Sequence, residues 1–236
     1  GGQLLPFTRQ AATTTGTVTS VLTNKGRAHG FSTSGIYATP TPITAVPLTL
    51  AGIARVSGYA SGGTLISIAN SGSSDNYWQL GLNTSGTIRA ASRSGAYVAA
   101  DSSNSVTVGQ MFCAAALYVS ATARYAWLDG VLSSIKTTSS TPTGVNRVSM
   151  GVLGRDAPAD YLAGDELIAC AWNRVLSVEE LAEFRRNPWQ LFAPERRPKF
   201  FSVGSGANTY AVGISETATA SETVSMLAAF GASISE

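Results

Sequence analysis

The chain has 236 residues, of which 44% are hydrophobic and 13% are charged, and its net charge is +2. This length fits one large β domain with an appendage, or two small domains. So small a charge argues against nucleic acid and anionic membrane as partners, because both need clustered Lys and Arg. The sequence shows no signal segment and no apolar run near the ~20 residues that span a bilayer, which predicts a soluble mature chain. The missing initiator Met predicts processing or a longer gene product.

Short runs of β-forming residues, separated by Gly, Ser, Asn or Asp, follow one another from about Thr14 to Ala171. Strands at this spacing, with no helical pattern between them, predict an all-β sandwich of two stacked antiparallel sheets. The dipeptide Asp129-Gly130 lies between alternating runs and predicts a two-residue hairpin with a type I′ turn. A second turn is expected at "NTSG", residues 83–86.

One short helix is predicted near the end of the sandwich, at 178–186. Ser177 with Glu180 three residues later forms a capping box, which marks a helix start. Leu181 and Phe184 give the helix a narrow apolar stripe that packs on a sheet. Acidic residues at its start and basic residues at its end suit the helix dipole, so most of its charges need no functional explanation.

The sequence after the helix changes character twice. Residues 188–205 combine prolines with aromatic and basic side chains, so an extended strap and linker are expected there. Residues 206–236 are rich in Ala, Ser and Thr and repeat "SET", which predicts an assembly segment or the start of a further repeat domain. The expected assembly interface consists of Trp189, Phe192, Arg196, Arg197, Phe200 and Phe201.

Catalytic residues are not evident in the sequence, which predicts a protein that is not an enzyme. The single histidine, His29, has no partner by motif. Asp165 and Glu166 are adjacent, so on a strand they face opposite sides and cannot form the carboxylate pair of a glycosidase. A glycoside hydrolase or lyase is therefore the least favoured function.

Binding sites are the remaining candidates. Asp156 and Asp160 lie in a Gly-rich loop, where they bind Ca²⁺ or simply organise turns through their own backbone; no other cofactor is expected. Sugar binding uses exposed aromatic rings, and the alternative for each ring is packing in the core or at its rim. The aromatic candidates are Tyr77, Trp78, Tyr97 and Tyr161.

The two cysteines, Cys113 and Cys170, both lie in apolar runs. A thiol in such surroundings behaves as a small buried hydrophobe. Two free core thiols, a disulfide between them and a reactive thiol are the three alternatives.

The last strand and the helix carry a family resemblance. Trp172, Asn173 and Arg174, followed by Leu176 and Ser177, resemble the end of the concanavalin A-like, laminin-G-like jelly-roll domain, in which an aromatic residue is followed by Asn-Arg-x-Leu-Ser and a short acidic helix. The resemblance implies a jelly-roll sandwich over residues 1–187 that includes the closing helix. Members of such a family include sugar binders, enzymes and structural modules, so the fold alone does not give the function.

The continuation "NPWQLFAPERRPKFF" resembles the segment that follows such domains in tailed-bacteriophage and prophage virion proteins. This resemblance implies a non-enzymatic structural protein on the particle exterior, such as a capsid decoration protein, a head fibre or a tail-associated protein. Its expected partners are capsid or tail subunits and further copies of itself. The alternative is a carbohydrate-binding module that attaches to a host-surface glycan.

Overall fold

The computed structural model describes residues 13–23, 26–38 and 43–192. These residues form fourteen strands, one α-helix and one 3-10 helix. The strands are β1 Thr13–Thr15, β2 Thr19–Thr23, β3 Gly26–Phe31, β4 Gly35–Ala38, β5 Leu48–Val56, β6 Gly63–Ala69, β7 Asn76–Leu82, β8 Thr87–Ser94, β9 Ala96–Ser105, β10 Met111–Ser120, β11 Ala123–Leu128, β12 Val131–Leu132, β13 Arg147–Met150 and β14 Gly164–Trp172. The helices are α1 Val178–Arg186 and the 3-10 helix Pro188–Phe192.

Two seven-stranded antiparallel sheets make a sandwich. Sheet A has the order β1-β4-β13-β6-β7-β8-β9, and sheet B has the order β12-β11-β10-β5-β14-β3-β2. The predicted all-β architecture with one short helix at its end is confirmed. A compact unit extends to Pro188 and a second unit begins at Trp189. The predicted tail, residues 206–236, lies outside the described residues.

The core lies between the sheets and follows the alternation of the strands. In β7, Trp78, Leu80 and Leu82 point inward, and in β5 Leu48 and Leu50 do the same; all five are at most 5% exposed. Because successive side chains of a strand point to opposite faces, this alternation fixes which residues face out. Each fully buried side chain of this size contributes about 1.5–3 kcal/mol through burial.

Both predicted hairpin turns are confirmed. Asp129 and Gly130 have φ angles of 49° and 109°, and they join β11 to β12 so that Trp127 pairs with Leu132. The turn at 83–86 joins β7 to β8, and the Gly86 amide donates to the Asn83 carbonyl at 3.0 Å. The two-residue β11–β12 loop has positive φ at both positions, which matches the right-handed twist of the strands it connects.

The helix α1 begins and ends as the sequence predicts. Ser177 Oγ accepts from the Glu180 amide, and the Glu180 carboxylate accepts from the Ser177 amide. Leu181 and Phe184 are 0% and 3% exposed, and the Phe184 ring meets Trp172 edge-on with a centroid distance of 5.6 Å. The apolar stripe of the helix therefore packs on the protein as expected.

A hydrogen-bond relay through Thr49 holds the entry to this helix on the outer face of sheet B. Thr49 Oγ1 donates to the Arg174 carbonyl at 2.8 Å and accepts from the Leu176 amide at 3.0 Å. At the other end of the helix, Arg185 Nε lies 2.9 Å from Asp129 Oδ1 in the β11–β12 turn. The family-like residues after β14 thus serve to fix the closing helix.

Asp165 and Glu166 face opposite sides of β14, as predicted. Asp165 pairs with Arg55 on the outer face of sheet B, with 3.1 Å between Arg55 Nε and Asp165 Oδ2. Glu166 is fully buried, and neither of its carboxylate oxygens makes a hydrogen bond to a described residue. Burial raises the pKa of Glu166 well above its ordinary value, although the nearby Gly151 amide acts in the opposite direction. The carboxyl is therefore held in its neutral form over a wider pH range than an exposed one.

Cys113 and Cys170 form no disulfide with each other in this structure, which removes that alternative. Cys113 is buried on β10 and Cys170 is half-buried on β14. Burial raises the pKa of Cys170 to about 12. The protonated thiol therefore predominates at neutral pH over the thiolate, which is the reactive form.

Within the described residues, neither helix combines the length and the apolar character that a membrane crossing requires.

Candidate functional site

The outer face of sheet A carries the aromatic and charged side chains that the core does not use. On β7, Tyr77 and Gln79 alternate with the inward-facing Trp78 and Leu80. Strand pairing places Arg93 of β8 beside Tyr77 on one side and beside Tyr97 of β9 on the other. These side chains therefore share one surface.

The segment 151–163, which connects β13 to β14, covers part of this face. Leu153 is 1% exposed and packs with Tyr77 and Ala69. The Gly154 amide donates to Ser67 Oγ at 3.2 Å. Because the segment lies over β6 and β7, Tyr77 is only 3% exposed. The area over β8 and β9 is left open.

Tyr97 is the accessible aromatic ring of this open area, with 45% of its surface exposed. The Arg89 guanidinium lies 5.6 Å from the centre of the ring, within the range of a cation–π contact. Partial burial raises the pKa of Tyr97 to about 12, even though Arg89 acts in the opposite direction. The phenol therefore stays protonated at neutral pH and can donate a hydrogen bond.

Two ion pairs fix the arginines of this face. Arg89 Nε lies 2.8 Å from Asp101 Oδ1, and Arg93 Nε lies 2.8 Å from Asp75 Oδ1. An arginine that is held by one carboxylate in this way keeps further N–H groups for a ligand, since the guanidinium has five donors. The pairs are about one-third to one-half exposed, so they orient side chains more than they stabilise the fold.

Two charged side chains of the covering segment, residues 151–163, lie near Tyr77 and Gln79: Arg155 and Asp160. Burial raises the pKa of Tyr77, while the cations of Arg155 and Arg93 lower it and the Asp160 carboxylate raises it. Asp160 Oδ2 also accepts from Gln79 Nε2 at 3.4 Å. The charged side chains named here are three arginines and three aspartates, whose formal charges cancel: Arg89, Arg93, Arg155, Asp75, Asp101 and Asp160.

The structure separates the four aromatic residues that the sequence suggested. It brings Tyr77 and Tyr97 together. Trp78 is 1% exposed and points into the core. A ligand cannot reach it, so Trp78 is not a sugar-binding residue. Tyr161 lies near Tyr37 of β4, at the opposite side of the sheet from β9. The alternation of a strand explains the outcome for Tyr77 and Trp78, because adjacent residues cannot share a face.

The two aspartates considered for Ca²⁺ are both exposed in the covering segment. The Asp156 amide donates to the Ser73 carbonyl at 3.4 Å, and Asp160 has a φ angle of 49°. In the part of the chain that the structure describes, no three His, Cys, Asp or Glu side chains gather closely enough to hold a metal ion. Calcium binding at Asp156 and Asp160 thus gains no support from the geometry.

The predicted assembly residues fall mostly beyond the described part of the chain. Trp189 is 43% exposed. For Phe192 the backbone alone is described, as the last residue of the 3-10 helix. The others lie outside the described residues: Arg196, Arg197, Phe200 and Phe201.

Arg89 and Arg93 were missed by the sequence analysis. A signal for them exists in "GTIRAASRSGAY", where both arginines fall on the face opposite to the buried Ile88. Two cations four residues apart on a strand lie on the same face. Only the register with β9, which places Tyr97 beside Arg93, shows that this face also has an aromatic ring.

A family model for the laminin-G type of the concanavalin A-like lectin/glucanases superfamily matches residues 31–182. This match spans most of the sandwich and more than half of the chain. The chain belongs to this superfamily. Within the superfamily match lie all the residues of the sheet A surface described above, from Asp75 to Asp160.

Solved structures share the superfamily sandwich. Domain 4 of AbnA, a GH43 extracellular arabinanase from Geobacillus stearothermophilus, in complex with arabinotriose, has a TM-score of 0.60 and 17% identity, and the match covers 74% of this chain and 87% of that one. The CBM40 of a Ruminococcus gnavus IT-sialidase, bound to α2,3-sialyllactose, has a TM-score of 0.52 and 17% identity, with 61% and 83% covered. At this identity the likeness shows the fold. No curated protein sequence matches the chain.

Proposed function

We propose that the chain is a non-catalytic carbohydrate-binding module that binds a neutral glycan on the outer face of sheet A. The observation that carries this proposal is the exposed Tyr97 ring beside Arg89, at 5.6 Å. A half-exposed aromatic ring offers an apolar surface to a sugar ring, and the neighbouring N–H groups bind its hydroxyls. The Asp101 and Asp75 carboxylates add acceptors on the same surface.

The charge balance of the surface favours a neutral glycan over an anionic one. Arg89 and Arg93 each have a carboxylate partner at 2.8 Å. A carboxylate or sulfate on the ligand would have to compete with Asp101 or Asp75 for these guanidinium groups. Neutral hydroxyls do not compete in this way, because each can donate to the carboxylate and accept from the guanidinium.

The structural neighbours support a glycan ligand for this fold. The arabinanase domain is in complex with arabinotriose, a neutral sugar, and the sialidase module is bound to sialyllactose. Arabinotriose and sialyllactose are ligands of those two proteins. Their occurrence on two sandwiches of this kind supports the carbohydrate-binding proposal for the present chain. The paired charges on sheet A support a neutral sugar over an anionic one.

The proposed lack of catalysis agrees with the positions of the carboxylates. Asp165 and Glu166 face opposite sides of β14, and Glu166 is fully buried. Asp75 and Asp101 are each engaged by an arginine. Glycoside hydrolysis needs one carboxyl group as acid and a second as nucleophile or base across the scissile bond. Bound oligosaccharides should therefore be recovered uncleaved.

A glycan array containing neutral, sialylated and sulfated sugars tests the proposal. We expect binding to neutral glycans, and Tyr97→Ala should weaken that binding by about tenfold or more. The matched control is Tyr125→Ala, since Tyr125 lies on the outer face of sheet B and is half-buried. An array on which nothing binds, or a Tyr97→Ala variant that binds like the wild type, contradicts the proposal.

The virion role is the second candidate function, and the segment 188–201 is the feature that favours it. The resemblance of this segment to bacteriophage virion proteins implies a place on the particle exterior and contacts with capsid or tail subunits or with further copies of the chain. Residues 193–236 lie outside the described part, so this role stays a prediction. Its test is the presence of the protein at fixed stoichiometry in purified particles, and its absence from particles would contradict it.

A further inference from the structure

A pocket of about 400 Å³ lies at one end of sheet B, where β3 and β5 end and β2 and β14 begin. Its volume falls within the range of small-molecule sites, roughly 300–1,000 Å³. It is separate from the surface around Tyr97, which belongs to the other sheet. Its polar lining consists of four hydroxyl residues and one ion pair: Thr17, Thr19, Ser32, Ser57, Arg55 and Asp165.

The ion pair leaves hydrogen-bonding groups available in the wall of this pocket. Arg55 contacts Asp165 through Nε at 3.1 Å and Nη2 at 2.5 Å, and both contacts go to Oδ2. The second carboxylate oxygen, Oδ1, is thus not used by Arg55. The two side chains are 37% and 18% exposed, so a ligand can reach the pair.

A glycine keeps the space between the hydroxyls and the carboxylate open. Gly30 lies on β3 between Thr19 and Asp165. A Cβ at this position would clash with Thr19 Oγ1 and would lie 3.2 Å from Asp165 Oδ1. Any other residue at Gly30 would therefore fill the part of the pocket that these two polar groups line.

The chemistry of the lining selects the class of ligand. The one guanidinium is neutralised by the one carboxylate, so the pocket has no charge to attract an ion. Among the described residues no group of metal-binding side chains forms, which argues against a cation. Hydroxyls that donate and accept, next to a carboxylate oxygen and a guanidinium, match a molecule with several neighbouring hydroxyl groups.

We propose that this pocket is a second binding site, which takes a neutral polyhydroxylated molecule of the size of one sugar ring. Asp165 Oδ1 accepts from ligand hydroxyls, Arg55 donates to them, and Thr17 and Ser32 complete the contacts. The site lies on sheet B, so it does not depend on glycan binding at sheet A.

Nuclear magnetic resonance titration of the full chain with D-glucose, D-galactose and L-arabinose tests the site. We expect the amide signals of Ser32, Ser57 and Gly109 to shift. Asp165→Asn should weaken binding about tenfold, because it replaces a charged acceptor with a neutral amide. Thr17→Val, which leaves the ion pair intact, should also weaken binding and covers the case in which Asp165→Asn does not fold.

One further measurement separates this site from the surface at sheet A, and a second tests whether the site also accepts the end of a glycan chain. Tyr97→Ala should leave the Ser32, Ser57 and Gly109 shifts unchanged. Methyl glycosides of the same sugars, which mimic a chain end, should shift the same amides as the free sugars. The proposal is overturned if none of these sugars shifts the three amides, or if Asp165→Asn and Thr17→Val both bind like the wild type.

Discussion

The Tyr118 hydroxyl, on β10 of sheet B, lies 2.8 Å from the carbonyl oxygen of Gln79 on β7 of sheet A. The same hydroxyl lies 2.5 Å from the Ala91 carbonyl and accepts from the Gln79 amide at 3.2 Å. Tyr118 is 1% exposed, and burial raises its pKa. One protonated phenol therefore ties the inner face of sheet B to the strands that carry the candidate surface.

Removing this hydroxyl should destabilise the sandwich. Tyr118→Phe removes the buried hydroxyl that contacts the Gln79 and Ala91 backbone, which costs about 0.5–1.5 kcal/mol for each hydrogen bond lost. Thermal or urea unfolding measures the loss. Tyr125→Phe is the matched control on the outer face and should stay within about 0.5 kcal/mol of the wild type. Equal stability of the two variants would show that the buried phenol contributes nothing.

Truncating the helix stripe should also destabilise the protein. Leu181 is fully buried, so Leu181→Ala should lose about 2–5 kcal/mol of unfolding free energy. Val178 is 41% exposed on the same helix, and Val178→Ala should have little effect. Urea unfolding compares the two. A Leu181→Ala variant that melts like the wild type would mean that the helix does not depend on its packing.

Adding one methyl group at the β11–β12 turn should cost stability through the backbone alone. Gly130 has a φ angle of 109°, and a Cβ there would meet no atom within 4 Å. Gly130→Ala should therefore lose about 1–2 kcal/mol through conformational strain. A Cβ on Gly58 would also meet no atom within 4 Å, but its φ angle is not in the left-handed region, so Gly58→Ala should be close to neutral. The difference between their denaturation midpoints measures the strain.

Stability should fall as the pH rises above the ordinary pKa of a glutamic acid, because Glu166 is buried without a hydrogen-bond partner in the described part of the chain. Its pKa is raised in the folded state, so the folded protein holds the proton more tightly than the unfolded chain does. The contribution is fully present below the unfolded pKa, about 4.3, and is lost progressively until the pH passes the folded value. Glu166→Gln should remove this fall, while Glu179→Gln, at an exposed position of α1, should leave it in place. Unfolding curves across this pH range test the difference, and parallel curves for wild type and Glu166→Gln would contradict it.

Local features of the fold were predictable from the sequence because they depend on neighbouring residues. Asp129 and Gly130 specify a turn through their own backbone preferences, and Ser177 and Glu180 specify a helix start through bonds to each other. The face that Tyr77 shares with Tyr97 was not predictable in the same way. It depends on the pairing of β7, β8 and β9, and the alternation of β7 does not show whether Tyr77 or Trp78 enters the core.

The position of the segment 151–163 on sheet A could not be predicted from the sequence either. Its Asp and Gly residues indicate a loop, but its position follows from long-range contacts, such as the bond between the Gly154 amide and Ser67 Oγ and the packing of Leu153 on Tyr77. The pocket beside Asp165 has the same origin, since its lining comes from residues as far apart in the chain as Thr17 and Asp165.

The covering segment, residues 151–163, limits how much of the outer face of sheet A is exposed. It lies over β6 and β7 and hides Tyr77, while Tyr97 on β9 stays open. A shorter connection between β13 and β14 would uncover Tyr77 and widen the surface by two strands, and a longer one would reach β8 and close it. Changes of length in this one connection would therefore alter how much of the outer face of sheet A is accessible, while the strands and the core between the sheets stayed the same.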